Sequence, residues 1–167
     1  MAKWFRFRVL SLLILVSVIG VALATYLAFY RPGNVSIRLS SGELLINHED
    51  IQSVDWDAQR YNLRPGLKAE LSKRFHAEGG LIGGIPFEFC IDNDTLFTGR
   101  LTTSLSSFGF SEIAINLLPI SQNDAVVDLE WGYPASPAPD RNVDPRFSHR
   151  LYTSLWLDGK LNLKKGK

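Results

Sequence analysis

Val127-Asp128-Leu129-Glu130-Trp131-Gly132-Tyr133 is the stretch on which the reading of this chain turns. Apolar Val127, Leu129, Trp131 and Tyr133 alternate with Asp128 and Glu130. A period of two is that of a strand with one face buried. The chain therefore contains a sheet with a covered side, and the neighbouring segments show what covers it.

Downstream, Pro134 to Arg146 forms a long connection rich in proline. It carries Pro134, Pro137, Pro139 and Pro145 together with the charges Asp140, Arg141, Asp144 and Arg146. Long ordered loops are often functional. Tyr133, Pro134, Asp140, Arg141, Asp144 and Arg146 are accordingly the candidate binding residues. The plainer alternative is a proline-stiffened crossover from strand to helix. Asp144-Pro145 reads as a helix N-cap followed by a first helical proline. Phe147, Leu151 and Leu155 then recur at helical spacing, widened by Tyr152 and Trp156, up to a stop at Gly159. The basic tail 160–167 is expected to fray.

Upstream, the same alternation recurs at Val35, Ile37 and Leu39, at Val54 and Trp56, at Tyr61 and Leu63, and at Phe87, Phe89 and Ile91. Asp57-Ala58-Gln59 and Asp92-Asn93-Asp94 have the chemistry of hairpin connections. Thr95 to Thr103 reads as a returning strand, Ser104 to Glu112 as a serine-rich loop, and Ile113 to Leu118 as a further strand. Pro65 suits the first turn of a helix whose stripe is Leu67, Leu71 and Phe75. A mainly antiparallel sheet with two helices packed on it would bury all these stripes together. The fold class expected is thus α+β.

The N-terminus differs from all of this. Val9 to Tyr30 reads VLSLLILVSVIGVALATYLAFY, with no charge and no proline. As a helix, twenty-two residues extend about 33 Å, against a hydrocarbon core of about 30 Å. Lys3, Arg6 and Arg8 precede it, and cations of this kind stay on the cytoplasmic side. Pro32 and Gly33 end the run. The expected division is a cytoplasmic basic stub at 1–8, a transmembrane signal-anchor helix at 9–30, an exported domain at 31–159 and the tail at 160–167. The corresponding location is the cell membrane, single-pass, with the N-terminus cytoplasmic. A cleaved leader ending near Ala22-Leu23-Ala24 is the rival reading.

Charge and composition exclude several classes of function. Three of the eighteen cations precede Arg31, leaving fifteen against seventeen acidic residues, a balance of −2. Such a domain lacks the basic face that nucleic acid requires. Cys90 is the single cysteine, so no intrachain disulfide can form. His48, His76 and His149 are far apart, and none has a second ligand at metal-binding spacing. Gly79-Gly80-Leu81-Ile82-Gly83-Gly84 leaves a helix and enters a strand, the reverse of a phosphate loop. The pairs Asp55/Asp57 and Asp92/Asp94 sit at turns, where aspartate serves local hydrogen bonding. Asn34 and Asn93 each begin an Asn-x-Ser/Thr sequon.

These readings converge on a membrane-anchored envelope protein acting as a non-enzymatic interaction or assembly module. Its expected partners are the membrane and another envelope protein, with no cofactor, no metal and no nucleic acid. The alternatives are a membrane-surface enzyme using carboxylates or His149, and a domain that binds a small or lipidic ligand between sheet and helices.

Overall fold

The structure, a computed structural model, describes residues 2–29, 33–77, 83–103, 109–117, 125–133 and 137–162. The chain divides into two compact units, Met1–Arg31 and Pro32–Lys167.

The first unit is helix α1, Ala2–Phe29. Its side chains are described over 11–26 and are exposed throughout. Thr25 Oγ1 donates to the Val21 carbonyl at 2.8 Å, the local bond by which a hydroxyl is tolerated in an apolar helix. Among the described residues, no helix is long and apolar enough to cross a membrane. The transmembrane signal-anchor expected at 9–30 is corrected accordingly, and the single-pass location at the cell membrane falls with it.

The second unit begins with β1, Val35–Leu39, β2, Leu44–Ile46, β3, Ile51–Asp55, and β4, Arg60–Leu63. Helix α2, Leu67–Ala77, follows, then β5, Ile85–Ile91, β6, Asp94–Thr102, β7, Phe110–Asn116, and β8, Val126–Tyr133. Helix α3, His149–Leu157, and the two-residue strand β9, Leu161–Asn162, complete it. Among the described residues, nine strands join in one sheet, in the order β2-β1-β5-β6-β7-β8-β4-β3-β9. The sheet is mixed, which corrects the mainly antiparallel one expected. β6 and β7 run parallel, with Gly99 opposite Ile113, and β3 and β9 run parallel, with Val54 opposite Leu161. The link from Thr102 to Phe110 is shorter than the dozen or more residues a parallel crossover commonly uses, so sequence spacing points the other way.

Strand order and connection length together require the sheet to curl. Strands about 4.8 Å apart in a flat sheet would hold β2 and β3 about 34 Å from each other. Only Asn47–Asp50 join them, a reach of at most about 18 Å. Aromatic contacts agree. The rings of Tyr61 on β4 and Phe89 on β5 are 5.9 Å apart, although three strands separate β4 from β5 in the sheet. β8 carries the turn of the roll. Val126–Asp128 pair with β4, and Leu129–Tyr133 pair with β7.

Inside the roll, Phe87, Phe89, Ile37, Ile115 and Leu101 are buried, and Phe89 stacks on Phe97 with centroids 4.5 Å apart. α2 buries Leu67, Leu71 and Phe75, the stripe its spacing implies. α3 buries Leu151, Ser154 and Leu155. Trp156, expected on that stripe, is 55% exposed instead. Gly159, at φ +67°, ends α3 as expected, but the chain does not fray from Lys160. The Lys160 N–H donates to the Leu155 carbonyl at 2.9 Å, its carbonyl accepts from Val54 N–H at 2.7 Å, and β9 then pairs with β3.

Candidate functional site

The connection from β8 to α3 is a braced structure. Asp140 organises its turn: the Asp140 carbonyl accepts from Val143 N–H at 2.9 Å and Asp144 N–H at 3.0 Å, and its carboxylate accepts from Asn142 N–H at 2.9 Å. Asp144 then caps a short 3-10 turn, Pro145–Phe147, by accepting from Arg146 N–H at 3.0 Å. The N-cap-plus-proline reading of Asp144-Pro145 thus holds for this turn. α3 starts one residue later, where Ser148 Oγ accepts from Leu151 N–H at 3.3 Å.

Arg146 and Asp144 form a buried ion pair, with side chains 6% and 1% exposed. Arg146 Nη2 donates to Asp144 Oδ2 at 2.5 Å, Nε donates to the same carboxylate at 3.0 Å, and Nη1 donates to the Leu129 carbonyl at 2.7 Å. The guanidinium lies 5.7 Å from the Trp131 ring centre and 6.0 Å from that of Phe147. A pair as dry as this repays its desolvation only when hydrogen bonds also satisfy the two groups. Removing either partner would strand the other and cost about 3–5 kcal/mol. The pair therefore locks the loop onto β8 from within the interior.

Arg141 takes the opposite side. Its guanidinium sits 4.2 Å from the centre of the Phe147 ring, and its Nη2 donates to Asp57 Oδ1 at 2.6 Å. Trp56, 8% exposed, meets Phe147 edge-on at 5.5 Å and Tyr152 at 5.4 Å. Trp56, Arg141 and Phe147 line an open cleft of about 410 Å³, whose lining also includes Asn142, Val143 and His149. Val143 stands at this cleft with 72% of its surface exposed, more than any other large apolar side chain described.

The six candidate residues thus separate into distinct roles. Asp144 and Arg146 are the buried brace, Asp140 shapes the turn, and Arg141 lines the cleft. Tyr133 ends β8 with its side chain outside the described part, and Pro134 lies outside the described residues. The sequence reading missed Trp56, Val143 and Phe147. Trp56 and Phe147 were legible only as apolar positions in a strand and a helix, and nothing in the sequence pattern brings them together.

The remaining chemistry-bearing residues are tied into the fold. His48 is only 14% exposed and belongs to no solvated loop. Its Nδ1 accepts from Val35 N–H at 3.1 Å, and its Nε2 stands 3.0 Å from Asp158 Oδ2. The first bond leaves the proton on Nε2, which donates to Asp158. Both ring nitrogens are occupied, so this His–Asp pair has no free lone pair with which to take a proton from a substrate. Burial and the nearby Lys160 charge hold the His48 pKa below its ordinary value, against the pull of Asp158 and Glu49. Lys160 Nζ in turn donates to the His48 carbonyl. His149 is exposed at the cleft rim, and the side chain of His76 lies outside the described part. Cys90 is buried beside Thr95. Among the described residues, no three His, Cys, Asp or Glu side chains could hold a metal ion together.

No protein-family model matches this chain, and no curated protein or solved structure matches it either.

Proposed function

We propose that the Pro32–Lys167 unit works by binding another protein, through the braced turn at Asp140–Asp144 and the cleft beside it. The observation that carries this reading is the display of Val143, 72% exposed, on a turn locked to the core by a buried ion pair. A rigid presentation of this kind loses little conformational entropy on binding. Tryptophan and arginine, present at this cleft as Trp56 and Arg141, are also among the residues that binding hot spots favour. The matching partner has an apolar recess for Val143 and a hydrogen-bond acceptor or carboxylate for Arg141, in competition with Asp57.

Neither alternative gains comparable support. An enzyme using a His–carboxylate pair would need the ring nitrogen of His48 that Val35 already occupies. A lipidic ligand between sheet and helices would need room where Phe89 stacks on Phe97 and meets Tyr61.

A photoreactive benzoylphenylalanine placed at position 143 of the full chain, in its native host, tests the proposal. A discrete crosslinked adduct that is missing when the probe sits at exposed Thr98, and that Arg141→Glu abolishes, is the expected result. Equal labelling from both positions, or no adduct from position 143, overturns it.

A further inference from the structure

Strand β9 closes one edge of the sheet with little to hold it. It contributes Leu161 and Asn162, which run parallel to Val54 and Asp55 at the end of β3. Leu161 is partly buried against the core and is the apolar anchor of the segment. Lys160 supplies the polar ties. Its N–H donates to the Leu155 carbonyl, its own carbonyl accepts from Val54 N–H, and its Nζ donates to the His48 carbonyl. Gly159 turns the chain back after α3. The segment Lys160–Asn162 therefore lies along the outer edge of β3 as a strap.

His48, on the short turn His48–Asp50 between β2 and β3, joins the root of this strap to β1 and α3. The neutral ring fills two roles at once: Nδ1 accepts from Val35 N–H, and Nε2 donates to Asp158. The charges that face it are Lys160 on the strap, Asp158 at the end of α3 and Glu49 on its own turn. A second proton acts on these contacts in opposite senses. A protonated Nδ1 would meet Val35 N–H with neither group able to accept. The imidazolium would also repel the Lys160 ammonium, which is bonded to the same residue's carbonyl. Asp158 and Glu49 would attract it. Burial and Lys160 outweigh these carboxylates, so the closed arrangement favours the neutral ring. Letting go of Val35 and Lys160 while keeping Asp158 removes the conflict.

We infer that Lys160–Asn162 is an acid-released strap: protonation of His48 frees it from β3 and uncovers the outer edge of that strand while the rest of the sheet stays folded. Amide hydrogen exchange on the full chain tests this, read residue by residue by NMR from about pH 7 to about pH 5 and corrected for intrinsic exchange. Val54 N–H reports the strap, and Val35 N–H reports the ring. Opening at both should rise about fivefold over that range. Urea below the unfolding transition should not promote it, because a local opening exposes little surface. Amides of β5 and β6, which exchange by global unfolding, should respond to urea. His48→Gln keeps an acceptor for Val35 N–H but gains no proton, and should flatten the acid response at both reporters. Lys160→Met removes the opposing cation and should give a smaller rise at Val35 than the parent chain. A rise at Val35 alone overturns the inference, because the ring then leaves β1 without releasing the strap. So does a rise that His48→Gln retains, exchange at Val54 that follows urea as β5 and β6 do, or no rise at all.

Discussion

Tyr61 is 1% exposed and 5.9 Å from Phe89, and its hydroxyl has no hydrogen-bond partner. Burial holds its phenol far above the usual range, and the Arg146 charge offsets only part of this. An unsatisfied buried hydroxyl costs about 1–3 kcal/mol, whereas the ring makes a contact worth keeping. Tyr61→Phe keeps the ring and deletes the orphan. It should raise stability in urea unfolding by about 1 kcal/mol. A fall of that size would show that the hydroxyl holds something in place. The same contrast governs Arg146 and Arg141, which are alike in sequence. One is desolvated within the interior, the other half exposed over a ring, and the second is the one within reach of a partner.

Among the elements, the parallel pair β6 and β7 approach closely at Gly99. A Cβ at Gly99 would lie 2.3 Å from the Ile113 carbonyl oxygen and 2.6 Å from the Phe87 ring. The first contact is with backbone, which cannot swing aside. Gly99→Ala should therefore destabilise the domain by about 3 kcal/mol, at the upper end of overpacking costs. Thermal unfolding would read this directly, and an unchanged midpoint would mean that β6 and β7 are not paired as described. The alternation of Phe87, Phe89 and Ile91 announced a strand, and the structure has β5 there. The parallel pairing was not legible, because alternation shows which face is buried and not the direction of the neighbour.

For the Pro32–Lys167 unit as a whole, closure of the rolled sheet is the central feature, and His48 sits where its ends meet. It joins the start of β1 through Val35 N–H, the end of α3 through Asp158, and the approach to β9 through Lys160. Protonation of Nδ1 would set two N–H groups against each other at Val35. Burial, then Lys160, also favours the neutral ring, while Asp158 and Glu49 oppose them. The folded pKa thus lies below the ordinary 6.5. Between those two values the unfolded chain binds the extra proton, so folding is penalised as pH falls. Stability from this group is complete above about pH 6.5 and declines below it. Urea unfolding from pH 8 to pH 5 should show a steeper loss for the parent chain than for His48→Gln. Parallel curves would mean that the ring does not gate closure.

Periodicity and turn chemistry were enough to locate the buried faces of β1, β5, β8 and α2, the cap at Asp144 and the stop at Gly159. These depend on neighbours a few residues apart, which a linear pattern records. Which strands adjoin, that Trp56 floors a cleft with Phe147, and that the Leu129 carbonyl of β8 meets Arg146 were decided by the tertiary structure alone. Each depends on groups brought together when the sheet rolls, and hydrophobic patterning carries no record of which distant surface will cover a given face.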